Sequence, residues 1–357
     1  MNYGKIYNLL ESNDKLEIDV YSRLKNQFDA INTFLQKDCC NSNIKLLLPQ
    51  FKSICDGILS LIELVNLGKR HEACDLLYDL YFSDELKERL RRFELKKDSS
   101  LFRMRPADTY TQYTRGRDSK NGEDEMYHLP YELRYKVGNE RYSITGLPVF
   151  YLSRSVYGCW EEIKRVNIDY SNVALFKNQK PLTFIDMTLP SEKHTLHENS
   201  FLSLPLIFAC RLKVAHPEGL FIPEYIIPQL VMECLIRRRN GNFINRDVIV
   251  GIKYESVYNS ERDLLFTQQD RKDVFINYAI PPFESPTTGI CPIIKQIFKF
   301  WDCTSWAEIN YRDPNIIENI NKSAYDNSVF GIIERRLQIK DPAVETFSSW
   351  TGCLGMG

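Results

Sequence analysis

The chain has 357 residues, 43% of them hydrophobic and 26% charged, with a formal net charge of −1. That length exceeds one compact core and predicts two domains, and the composition excludes a disordered or fibrous chain. The near-neutral balance gives no pull toward nucleic acid or an anionic membrane.

The first residues, MNYGKIYNLLESNDKLEID, lack a basic leader followed by an apolar stretch, so no signal peptide is expected. From there to residue 97 the text reads as helical. Val20, Leu24, Phe28, Ile31 and Leu35 recur at spacings of three and four, one apolar stripe. A second run, FKSICDGILSLIELVNLG, stops at Gly68, and a third starts near His71 and extends into the mixed-charge segment SDELKERLRRFELKK. Three or four such helices predict an N-terminal helical bundle over residues 1–97.

The pattern changes at Asp98–Leu101. A strand is expected in LPVFYLS, a helix in SVYGCWEEIKRV, a strand in PLTFIDM, and an apolar block over Leu202–Leu212. A helix follows in YIIPQLVMECLIRR, then a turn at Asn240–Asn242 and a strand in DVIVGIKY. Strands interleaved with helices predict an α+β domain over residues 98–345, and the glycine-rich end, 346–357, predicts a flexible tail.

The most apolar stretch, Phe201–Cys210, is too short to span a bilayer and contains Pro205. The ten cysteines include one adjacent pair, Cys39–Cys40, and no C-x-x-C, so the expectation is reduced thiols in a cytoplasmic protein. There is no G-x-x-x-x-G-K-[ST], no strand-following G-x-G-x-x-G and no H-E-x-x-H. The close pair His194/His197 has no obvious third ligand nearby, so a surface loop is expected there and no metal.

Four segments in order carry a resemblance. LFRMR presents Arg103 in an apolar–aromatic strand, and RYSITGLPVFYLS presents Arg141 and Tyr151. SRSVYGCWEEI places Glu162 eleven residues after that tyrosine, and VGIKYESV carries Ser256 and is followed later by FINYAIPP. Together, over residues 101–285 or about half the chain, these resemble the RES domain of bacterial toxins. FIPEYIIPQLVMECL, with Tyr225 and Gln229, is similar to a helix of a long-RES subfamily. One departure is Glu140, where the family carries a glycine before the arginine.

The resemblance implies an ADP-ribosyltransferase-like split β-core and NAD⁺ as the substrate. It further implies an NAD⁺ glycohydrolase acting as a toxin or defence effector, with mono-ADP-ribosyl transfer or NAD⁺ phosphorolysis as alternatives. A domain that binds NAD⁺ or ADP-ribose without turnover is a further alternative.

The implied roles fit the residue types. Breaking the nicotinamide–ribose bond builds positive charge on the sugar, which the Glu162 carboxylate would stabilise as it develops. The bland alternative is an exposed helix glutamate, and of Glu161 and Glu162 one is expected to face solvent. Arg103 and Arg141 can clamp a pyrophosphate with a planar fork, Arg105 being the nearby substitute, while surface salt bridges are the ordinary use of arginine. Tyr151 could lie against nicotinamide or ribose, or be core. Ser256 offers a hydroxyl to the ligand, with no histidine base nearby to make it a nucleophile. His128 is expected to be structural.

The helical region does not carry the arginine-to-histidine spacing of RNase-type toxins, because His71 is preceded directly by Arg70. It is expected to serve oligomerisation, regulation or contact with an antitoxin or trigger protein.

Overall fold

The computed structural model describes residues 3–38, 42–106, 122–190, 201–239, 248–257, 273–312 and 325–339. Four helices open the chain: α1 (Tyr3–Asn13), α2 (Val20–Asp38), α3 (Ser42–Asn66) and α4 (Arg70–Tyr81). The predicted stripe on α2 is the buried one, with Leu24, Ile31 and Leu35 fully out of solvent. The third helix stops where Gly68 adopts a left-handed φ of 75°.

The charged segment after α4 differs from the helix expected there. It forms a single 3-10 turn, Lys87–Arg89, and then strand β1 (Arg92–Leu95). Phe93 packs on one face of this strand, and all four of its residues pair with β5 (Leu182–Asp186). The charged stretch is short, and sheet pairing overrides its helical propensity.

Six further strands complete an eight-stranded sheet: β2 (Ser100–Pro106), β3 (Phe150–Ser153), β4 (Ser171–Asn178), β6 (Ile249–Glu255), β7 (Ile276–Ile280) and β8 (Phe298–Ser305). Their order is β1-β5-β6-β7-β3-β2-β4-β8. Only β5 and β6 run parallel; every other neighbouring pair is antiparallel. The remaining helices are α5 (Gly122–Met126), α6 (Val156–Glu162), α7 (Leu204–Cys210), α8 (Ile226–Arg238), α9 (Pro292–Ile297), α10 (Trp306–Arg312) and α11 (Val329–Gln338). The protein is therefore a mixed α+β fold. His194, His197, the Asn240–Asn242 turn and the 346–357 tail lie outside the described residues.

Alternation along β4 shows how the layers are laid down. Ala174 and Phe176 pack with Phe150, Phe298 and α9 on one face, while Val173 and Leu175 pack with α6 and α11 on the other. Helices α1–α4 share a continuous apolar core with α7, α8 and sheet residues Ile185, Ile252 and Ala279. Polar ties reinforce that junction. Arg23 on α2 is fully buried and pairs with Asp14 at 2.5 Å and with Glu224 at 2.6 Å. Arg70 of α4 pairs with Glu233 of α8 at 2.6 Å.

The sheet is weakest in its middle. Strands β2 and β3 share one register pair, Phe102↔Ser153, whereas β2 pairs β4 along seven residues. A cavity opens on that seam.

Candidate functional site

Helix α6 is built to end at the cavity. Ser155 caps it by accepting from the Gly158 amide at 2.8 Å, and the buried Glu334 carboxylate accepts from the Val156 amide at 2.7 Å. Position 158 requires glycine, because a Cβ there would sit 2.6 Å from the Val274 carbonyl oxygen. The predicted helix through Val166 is cut short: Lys164 and Arg165 both adopt left-handed φ, 60° and 54°. For residues other than glycine this costs about 1–3 kcal/mol each. The turn is stapled by Arg165, which pairs with Glu161 at 3.0 Å and stacks on Trp160.

Glu161 is buried in that staple, so the expectation that one of the two adjacent glutamates faces bulk solvent fails. Its neighbour Glu162 is half-buried and lines the cavity.

The cavity measures about 440 Å³, within the roughly 300–1,000 Å³ typical of small-molecule sites. Its wall brings together Arg103 of β2, Tyr151 of β3, Glu162 of α6, Tyr254 of β6 and Asn277 of β7, with Arg141 and Tyr225 from the flanking segments. Sheet register explains the grouping: Ser153, Asn277 and Tyr254 stand side by side across β3, β7 and β6.

Glu162 sits in a cradle of donors. Asn277 Nδ2 donates to Oε1 at 2.9 Å, and the Tyr254 hydroxyl donates to Oε2 at 3.4 Å. The Ser256 hydroxyl bonds to the same carboxylate. Burial pushes the Glu162 carboxyl above the usual carboxylate range, and the Ser256 bond and the Arg141 charge pull partly against it.

Arg103 lies at the seam. Its Nη1 donates to the Tyr151 carbonyl at 2.8 Å, and its guanidinium sits 5.4 Å from the centre of the Phe150 ring. Its Nε is buried with no hydrogen-bond partner among the described residues. Burial, seconded by the Arg105 charge, lowers its pKa to about 9, still cationic at neutral pH.

The remaining expected residues divide by what they touch. Arg141 lines the cavity, yet it donates to the carbonyls of Cys210 at 2.9 Å and Leu212 at 3.1 Å while stacking on Tyr225. It thus braces the wall. The Tyr151 hydroxyl donates to the Tyr142 carbonyl at 2.9 Å, leaving its ring toward the cavity. Ser256 is 2% exposed and touches Glu162 rather than lining the cavity. Gln229 anchors the neighbouring loop by donating to Asn139 at 2.8 Å. Arg105 is tied to the Glu125 carbonyl, away from the lining.

His128 is structural. Its Nε2 accepts from the Cys291 amide at 3.0 Å, so Nδ1 carries the proton and donates to the Leu129 carbonyl at 2.7 Å. Burial holds its pKa down at about 4.

Two site residues escaped the sequence reading, Tyr254 and Asn277. Tyr254 lies within the expected strand DVIVGIKY and Asn277 within FINYAIPP, and the available signal is a polar atom at an inward position of otherwise apolar text. Among the described residues, no group of three or more His, Cys, Asp or Glu side chains is placed to hold a metal ion. No helix among them is long and apolar enough to cross a membrane.

No family model matches the chain, and no solved structure matches it. Over 223 residues it is 26% identical to "Putative toxin YopC" of Bacillus subtilis (strain 168), an alignment covering 58% of this chain and 46% of that protein. The chain thus spans less than half the length of that relative.

Proposed function

We propose that the chain breaks the nicotinamide–ribose bond of NAD⁺, as a RES-type toxin or defence effector with a split, ADP-ribosyltransferase-like β-core. One observation carries the reading. Arg103, Tyr151 and Glu162, spread over about sixty residues of sequence, line one cavity, with Ser256 bonded behind the glutamate. These are the residues for which the resemblance to the RES domain implies NAD⁺ chemistry.

The chemistry follows from their types. As the bond between the ribose carbon and the nicotinamide nitrogen breaks, its electron pair leaves with nicotinamide, and the sugar becomes an oxocarbenium-like cation. In its ionised form the partly desolvated Glu162 stabilises that charge more strongly than it stabilises the ground state. Its cradle of donors, Asn277, Tyr254 and Ser256, favours the ionised form against burial. Arg103 supplies a cation on the cavity wall for the anionic diphosphate. Water then adds to the ribose carbon, giving ADP-ribose, nicotinamide and one proton. The similarity to the Bacillus subtilis protein named "Putative toxin YopC" agrees with a toxic outcome.

Incubation of the purified chain with NAD⁺ tests this. Free ADP-ribose and nicotinamide are expected in equal amounts. Modified protein would move the reading to ADP-ribosyl transfer, and a phosphate-dependent product would move it to phosphorolysis. Tight binding with no product would overturn catalysis in favour of a binding module.

A further inference from the structure

We infer that Asn277 is the positioning residue of the site, retained in the sheet to orient the Glu162 carboxylate; the inference rests on the reading of Glu162 given above. Asn277 lies in register between Ser153 of β3 and Tyr254 of β6, is 2% exposed and forms part of the cavity wall. Its Nδ2 donates to Glu162 Oε1 at 2.9 Å. Its Oδ1 is buried with no hydrogen-bond partner among the described residues.

The energetics set this residue apart. A buried acceptor without a partner costs about 1–3 kcal/mol, a penalty that an apolar side chain of the same size would avoid. For the stability of the sheet alone, asparagine is therefore the wrong residue here. Rotating the amide by half a turn would bring Oδ1 against a carboxylate oxygen, two acceptors in contact. The amide orientation is thus set by Glu162. The bond is also shorter than the 3.4 Å contact from Tyr254.

Other groups share the surroundings of Glu162. Tyr254 approaches from β6 and Ser256 from just beyond its end, Tyr151 from β3, Cys159 from the preceding turn of α6, and Glu140 and Arg141 from the segment before β3. Arg141 and Glu140 oppose one another in sign. The amide N–H of Asn277 is a short neutral donor that both favours the charged carboxylate and fixes which way it points.

The test uses the full chain labelled with ¹³C at glutamate carboxyls, the Glu162 signal being assigned by its loss in Glu162→Gln. Titrations of wild type, Asn277→Leu and Asn277→Asp are compared, with melting temperatures and the pH profile of NAD⁺ consumption measured in parallel. In Asn277→Leu the Glu162 pKa is expected to rise by about one unit or more. Its melting temperature should stay within about 2 °C of wild type or exceed it, since the orphaned acceptor is gone. In Asn277→Asp the two carboxyls should titrate as a coupled pair with one value raised further. The acid limb of kcat/KM should move by the same amount while KM holds.

A Glu162 pKa within about 0.3 unit of wild type in both variants would overturn the inference. So would a melting temperature more than about 5 °C lower in both, which would make Asn277 a structural residue. The titration needs no substrate. A chain that leaves NAD⁺ intact while its Glu162 pKa responds therefore sinks the enzymatic reading alone, and the converse result sinks the positioning role alone.

Discussion

Replacing Glu162 by Gln removes a charge at the cavity wall while preserving the size of the side chain and an acceptor for Asn277 Nδ2. Two effects of opposite sign should follow. Deleting a preorganised electrostatic group typically costs about 2.7–4 kcal/mol of transition-state stabilisation, or about 100- to 1,000-fold in kcat. Stability should move the other way. Burial raises the Glu162 carboxyl above its ordinary range, so the folded chain holds this proton more tightly than the unfolded chain does. The stability this group contributes is complete below the unfolded carboxyl value of about 4.3 and is lost as pH rises through the higher folded value. Gln carries no such loss. The melting temperature of the variant minus that of wild type should therefore grow more positive from acid to neutral pH. Scanning calorimetry across that range, paired with NAD⁺ consumption at saturating substrate, reads both effects. A variant that keeps more than about a tenth of the wild-type kcat would refute the electrostatic role. One that melts well below wild type at neutral pH would refute the claim that the buried charge weakens the fold.

Other expectations follow from the same geometry. Arg103→Lys keeps a cation but loses the fork, and a charge-assisted bond is worth about 1.5–3 kcal/mol, so KM for NAD⁺ should rise about tenfold or more with kcat less affected; steady-state kinetics checks this. His128 is held neutral with a pKa of about 4, so its contribution to stability is complete above about 6.5 and is lost as pH falls toward 4. Urea midpoints of wild type and His128→Gln should converge over that window, the difference amounting to about 3 kcal/mol. Deleting residues 1–81 strips the apolar cover from Leu230, Val231 and Cys234 of α8. Each large side chain exposed costs about 1.5–3 kcal/mol against a total stability of about 5–15, so the truncated chain should aggregate, as read by size-exclusion chromatography.

What the sequence disclosed was decided by range. Helix α2, β3, β5, α8 and β6 lie close to their expected positions, because each is written in a local period of 3.6 or 2. The segment after α4 was misread because its charges also fit a helix, and only pairing with β5, some ninety residues away, makes β1 a strand. The end of α6 was invisible for another reason: nothing in Lys164 or Arg165 announces a left-handed backbone, which Glu161 and Trp160 hold in place. At the site, Arg103, Tyr151 and Glu162 were reached through resemblance. Asn277 could not be, since its importance appears only when register sets it beside Tyr254 and its unpartnered oxygen becomes visible. Ser256 was found, but its partner is the glutamate and its position is behind the cavity wall.

The cavity wall also argues for function independently of any relative. Two of the six side-chain atoms buried without partners among the described residues, Arg103 Nε and Asn277 Oδ1, stand on this wall, and a fold optimised only for stability would not keep them so. Nor would it hold a carboxylate where burial disfavours its charge. Here the three occur on one wall, at the seam where β2 and β3 share a single register pair, and beside two left-handed residues that end α6. Each feature costs free energy, and the apolar cores on both faces of the sheet offset the sum. Such conflicts on one cavity wall are what the proposed role of Glu162 requires. Relieving the buried charge by Glu162→Gln should therefore raise stability at neutral pH and remove activity together, whereas Asn277→Leu should hold stability while moving the acid limb of the pH profile.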